Sequence, residues 1–143
     1  MKFLAAISSA IFAGGAFYIS LVEHPARISL GVAAALQEFR PSYKRAAPLQ
    51  VLMAVVCFLA CGILWFSTHR AGWIMGGAIV VLVIPFTLVI IMPTNRILLD
   101  SSSPPDDKQA SLLLKKWGHL HGVRTVLGLA GFVVILLQLI QGR

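Results

Sequence analysis

Acidic residues are scarce in this 143-residue chain: Asp and Glu number five, against twelve Lys and Arg. Charged residues of both signs make up 12% of the sequence, about half the roughly 25% of a soluble domain. There are two cysteines, so no disulfide framework can carry the fold. Catalytic signatures are missing too. The sequence has no CxxCH for covalent haem, no phosphate-cradling glycine loop, no HExxH helix and no GxSxG elbow. Any chemistry must come from His, Arg, Asn, Glu, Trp and Tyr.

Apolar length is what the sequence has. It is 58% hydrophobic, with a mean hydropathy of +0.87. A chain this small cannot hide that much apolar side chain from water. This excludes disorder and a water-soluble globular enzyme. Uncharged runs cover residues 3–22, 46–68, 71–95 and 125–142. Each is close to the about 20 residues that cross a bilayer as a helix. The last can borrow length from the residues before it, giving a span over 121–141. None alternates apolar and polar residues like a barrel strand. The expected fold is therefore all-α: a four-helix transmembrane bundle forming one integral membrane domain over residues 1–143. The first run shares Lys2 and small residues at 13–16 with a secretory signal. Its uncharged length exceeds that of an h-region, which favours a retained span.

The connections are unequal. His69-Arg70 makes a tight hairpin between spans two and three. Residues 23–45 and 96–124 form long polar gaps on one side of the membrane. The first gap predicts a short interfacial helix over 28–39. In the second, residues 101–107 read SSSPPDD and predict a turn. Asp106 and Asp107 then suit the start of a helix running into span four. Nine of the twelve Lys and Arg flank the long gaps, and Lys2, Arg70 and Arg143 lie opposite. The positive-inside rule predicts cytoplasmic long loops and non-cytoplasmic termini. The net charge of +7 is then explained by membrane lipid, with no need for nucleic acid. Ala6, Ala10 and Gly14, and separately Gly72 and Gly76, predict close helix contacts. Cys57 and Cys61 read as small buried apolar residues.

All four helix ends bring polar groups to the long-gap face: Glu23-His24-Pro25, Arg40 to Arg45, Pro93-Thr94-Asn95-Arg96, and Trp117 to Arg124. Trp117, His121 and Arg124 are spaced i, i+4, i+7 and share a stripe. His119 lies about 200° around the helix from His121, so His121 is expected inside and His119 outside. The alternative for Trp117 and Arg124 is an interfacial belt with a snorkelling arginine. Pro25 disfavours helix at His24. The chain is expected to leave the helix there, which either turns the imidazole inward or leaves it solvated in a loop. Pro93 either stops span three, with Asn95 in a turn, or opens backbone groups beside Asn95.

This set, with Arg40-Pro41, Pro85-Phe86-Thr87 and Met92-Pro93-Thr94-Asn95, resembles the small four-helix membrane family that includes the anthrone oxygenases. The resemblance implies an oxygen-dependent oxidoreductase, a monooxygenase that turns a polycyclic phenolic anthrone into an anthraquinone. His24 or His121 would be the general base. Arg124 and Asn95 would stabilise an enolate oxygen and a peroxide. Trp117 would stack on the rings, with Glu23, Arg40, Tyr43 and Thr94 as further substrate contacts. No cofactor beyond dioxygen is needed. Alternatively, His24 and His121 ligate haem or a metal ion, with Glu23 as a third ligand or its partner. A non-enzymatic reading is a bundle that binds a lipid or quinone, serves in a larger membrane complex or forms a homo-oligomer. The apolar middles of spans two and four argue against an ion path.

Overall fold

The computed structural model describes residues 1–141. Among the described residues four long helices follow one another: α1 (Lys2–Ser29), α2 (Val32–Thr68), α3 (Ala71–Leu99) and α4 (Asp107–Gln141). All four are long and apolar enough to cross a membrane, and only 28–33% of each apolar window is buried within the protein. The remaining apolar surface, including Phe3, Phe66, Leu88 and Ile140, faces outward. In water that surface would be prohibitive; in lipid it costs nothing. The protein is a multi-pass integral membrane bundle. Each helix packs on its neighbours in sequence, and α1 against α4 closes the ring.

The turns agree with the sequence. His69, in the left-handed region at φ 54°, ends α2 before Arg70 opens α3. Asp106 caps α4, its carboxylate accepting the Gln109 N–H at 2.8 Å. The Asp100 carboxylate accepts from Ser102 and Ser103, and these hydrogen bonds hold its pKa below the ordinary value.

The first long gap differs from expectation. No separate interfacial helix forms over 28–39. α2 instead begins at Val32 and runs unbroken to Thr68, with Pro41 and Pro48 inside it. The α1–α2 turn is only Leu30-Gly31, and Gly31 takes φ 86°, a value that favours glycine. His24 does not leave the helix either. It is helical at φ −67°, ψ −44°, and the chain continues to Ser29. Nor does Pro93 stop α3, which runs on to Leu99.

One device explains both helices. A π-turn over Ile19–Glu23 precedes His24-Pro25, and another over Thr87–Ile91 precedes Met92-Pro93. A proline ring collides with the carbonyl four residues back and offers no N–H. Widening the preceding turn to i→i+5 bonding absorbs both effects. The extra residue turns the following side chains by about 100°.

Small residues set the helix contacts. A Cβ on Gly76 would lie 2.7 Å from Ile135 Cγ1 and 3.3 Å from the Gly131 carbonyl oxygen, so α3 and α4 meet there backbone to backbone. On α1 the expected stripe is displaced: Ala10 and Gly14 are exposed, while Ala5, Ser9, Ala13 and Ala16 are buried. Cys57 and Cys61 are free and buried in the core. The apolar core has two parts. One, around Phe12, Cys57, Trp73 and Ile135, fills the hairpin half. The other, around Phe39, Ile91, Leu114 and Trp117, fills the long-gap half. A polar layer separates them.

Candidate functional site

The polar layer is assembled by all four helices. The π-turn of α1 presents Ser20, whose Oγ lies 2.9 Å from His121 Nδ1 and 2.7 Å from Thr125 Oγ1. The Thr125 hydroxyl reaches the carbonyls of Ala16 at 3.1 Å and His121 at 3.0 Å. A hydroxyl has one proton. If Thr125 donates to a carbonyl, Ser20 donates to Thr125. Nδ1–H of His121 then donates to Ser20, and Nε2 keeps its lone pair. This tautomer is assigned from the hydrogen-bond network.

Aromatic rings fix the imidazoles. Trp117 stacks on His121, with centroids 4.6 Å apart, and meets His24 at 5.1 Å in a tilted arrangement. Phe39 meets the indole edge-on at 5.1 Å. His24 also lies against the backbone of Gly118, where a Cβ would come within 2.6 Å of its Nε2. Trp117 is buried, so it is not an interfacial anchor. His119 is exposed and His121 buried, as the 200° argument predicts.

Charges collect around the rings. Arg27 is only 3% exposed and pairs with Glu23 and Glu38. Its guanidinium lies 5.2 Å from the centre of the Phe39 ring and 5.8 Å from that of Trp117. Ser42 donates to Glu23. Arg124 does not snorkel: it is 7% exposed, donates to Gln50 at 3.1 Å and lies 5.5 Å from the Phe12 ring centre. Asn95 is fully buried and donates to the Tyr43 hydroxyl at 2.8 Å.

Two cavities flank this layer. The smaller, about 20 Å³, is bordered by His121, Trp117, Arg27 and Arg124. The larger, about 550 Å³, is apolar and lies between α2 and α3, bordered by Val51, Leu52, Val55, Val83 and Leu88 among others. Its size falls within the roughly 300–1,000 Å³ of small-molecule sites. Tyr43, Ala47, Gln50 and Arg124 border both cavities.

The expected site residues divide accordingly. His121, Arg124, Tyr43, Trp117 and Glu23 border a cavity. Asn95 reaches it through Tyr43, and His24 through Trp117. Thr94 is buried beside Asn95 but borders neither cavity. Arg40 lies elsewhere, donating to the Leu98 and Asp100 carbonyls at 3.1 and 2.7 Å and closing the end of α3. Trp117 borders the small cavity and not the large one, so it does not stack on a ring system held in the chamber. Ser20, Arg27, Phe39, Gln50 and Thr125 were not singled out from sequence. Among them only Arg27, four residues after Glu23, and Gln50, the lone amide near the start of its apolar run, carried a signal. Among the described residues no group of three or more His, Cys, Asp or Glu could hold a metal ion. A metal on His24 and His121 would need ligands from elsewhere.

Fold and site together define a four-helix membrane protein whose buried polar layer opens onto an apolar chamber. A sequence profile of the anthrone oxygenase family matches residues 39–134. That stretch is about two thirds of the chain, and the protein belongs to this family. The match includes Tyr43, Asn95, Trp117, His121 and Arg124; Ser20, Glu23, His24 and Arg27 precede it. No curated protein and no solved structure matches the chain.

Proposed function

We propose that the protein oxidises a flat, apolar polycyclic phenol of the anthrone type to its quinone with dioxygen. The observation that carries this reading is the shared wall. An apolar chamber large enough for a fused-ring molecule shares Tyr43, Ala47, Gln50 and Arg124 with the small cavity that His121 borders. Family membership supports the same class of reaction.

The methylene edge of a substrate held in the chamber reaches past Ala47, which borders both cavities, toward the small cavity, where His121 Nε2 takes one proton from the methylene carbon. The charge spreads to the ring oxygen as an enolate, which Arg124 and the Tyr43 hydroxyl stabilise. Dioxygen accepts an electron from this anion, and recombination forms the C–O bond of a peroxide, which takes the proton back from His121. Loss of the second methylene proton breaks the O–O bond and expels hydroxide, released as water. One oxygen atom stays in the quinone. Deprotonated, electron-rich substrates can react this way without a cofactor.

Substrate enters the chamber from the bilayer between α2 and α3, where Leu52 and Leu88 are exposed. The site end faces the cytoplasm. Of the nine cations flanking the long gaps, Arg27, Arg40 and Arg124 serve internal contacts. Lys44, Arg45, Arg96, Lys108, Lys115 and Lys116 remain exposed there, against Lys2 and Arg70 among the described residues of the other face.

The test is to incubate purified protein with an anthrone under ¹⁸O-labelled dioxygen. The reading expects quinone carrying one labelled oxygen, formed faster than in buffer. A rate equal to buffer contradicts it and leaves a non-catalytic binding protein.

A further inference from the structure

We infer that the small cavity is a binding site for a small anion, and that its occupant during turnover is reduced dioxygen. The identity of that occupant rests on the proposed function; the anion site does not.

Three residues bordering the cavity keep a buried N–H without a hydrogen-bond partner: Arg27 at Nη1, Trp117 at Nε1 and Arg124 at Nε. These groups can only donate. A buried donor left unmet is costly, and three around one cavity call for an acceptor within it. All three residues are more than nine-tenths buried.

Charge points the same way. Arg27 is met by Glu23 and Glu38. Arg124 has no carboxylate partner among the described residues, and its hydrogen-bond partner is the neutral amide of Gln50. A buried guanidinium without a counter-ion is expensive at membrane depth. Glu23 also borders the cavity, but its Oε1 is held by Arg27 and Ser42.

Size then limits the occupant. About 20 Å³ exceeds the roughly 10–15 Å³ that one water needs. The cavity therefore takes a water, a monatomic anion or a diatomic molecule, and excludes a ring system. Because Arg124 and Tyr43 border both cavities, an oxygen species held here lies next to the substrate chamber. The substrate enolate gives one electron to dioxygen, leaving a substrate radical and superoxide. The donors hold the superoxide until the pair recombines into the C–O bond, and they then meet the terminal peroxide oxygen.

Chloride is the probe, on the full chain in detergent. The first readout is saturable broadening of its ³⁵Cl resonance. The second is the effect of chloride on KM for dioxygen and, separately, for an anthrone. Trp117→Phe keeps an aromatic ring and deletes the N–H; Arg124→Gln deletes the charge. The inference expects saturable broadening in the wild type and about fivefold or greater weakening in each variant. It also expects chloride to raise KM for dioxygen and leave KM for the anthrone unchanged. Absence of saturable broadening in the wild type overturns the site. So does broadening that both variants leave intact. Turnover without a chloride site overturns this inference alone. A chloride site without turnover overturns the oxygen assignment together with the proposed function.

Discussion

Ser20 and His121 meet across the bundle, the serine hydroxyl 2.9 Å from the imidazole Nδ1 although 101 positions separate them. The contact exists because α1 widens into a π-turn at Ile19–Glu23. The same turn orients His24 and Arg27 toward Trp117. A backbone irregularity caused by Pro25 thus sets the geometry of the site.

Replacing Ser20 by Ala leaves the Nδ1–H of His121 without its acceptor. The imidazole then has no preference for the tautomer that frees Nε2. On an anthrone, kcat should fall by about tenfold while KM changes little, since a positioned base contributes roughly 10²–10⁴-fold in all. Steady-state kinetics checks this; a fall confined to KM would contradict it.

Asn95 acts through Tyr43. Asn95→Ala removes the donor to the phenol oxygen and leaves a hydroxyl at the cavity wall without it. The loss should cost about 1 kcal/mol, read as a lower melting temperature in detergent. KM for the aromatic substrate should rise, because Tyr43 borders the chamber.

Two glycines of α4 make a matched pair. Gly118→Ala places a Cβ 2.6 Å from His24 Nε2, while Gly122→Ala meets nothing within 4 Å. The first should displace the imidazole and lower both stability and activity, by about 1–3 kcal/mol for the former. The second should be neutral or stabilising by up to about 1 kcal/mol, since Ala favours helix. Thermal unfolding and activity of the two variants check the contrast.

Ala47 borders both cavities. Ala47→Trp should fill the passage between them and abolish turnover in a protein that still folds, because the site is half-buried and next to empty space. Circular dichroism with the activity assay separates loss of function from loss of fold.

The helices themselves were legible because the bilayer demands long uncharged runs. His121 could be told from His119 because helical geometry puts them on opposite faces. The polar residues around Arg40 to Arg45 misled because charge near an apolar run reads as a loop; here it lies on the part of α2 beyond the apolar stretch. Pro25 and Pro93 read as helix ends because the π-turns that accommodate them have no local sequence signature. Ser20 and Thr125 were invisible for another reason: single hydroxyls are ordinary in apolar helices, and only tertiary packing pairs these two with His121. The stripe of Ala6, Ala10 and Gly14 failed because spacing alone cannot say which face of α1 turns inward.

The most direct test of the account is the rate of dioxygen consumption on one anthrone by the purified wild-type protein and by His121→Ala. The account predicts uptake above the buffer rate, one dioxygen per quinone formed, and a fall of about 10²-fold or more in the variant. Equal rates for the two proteins, with both well folded, would contradict the placing of the base at His121 and the site built around it.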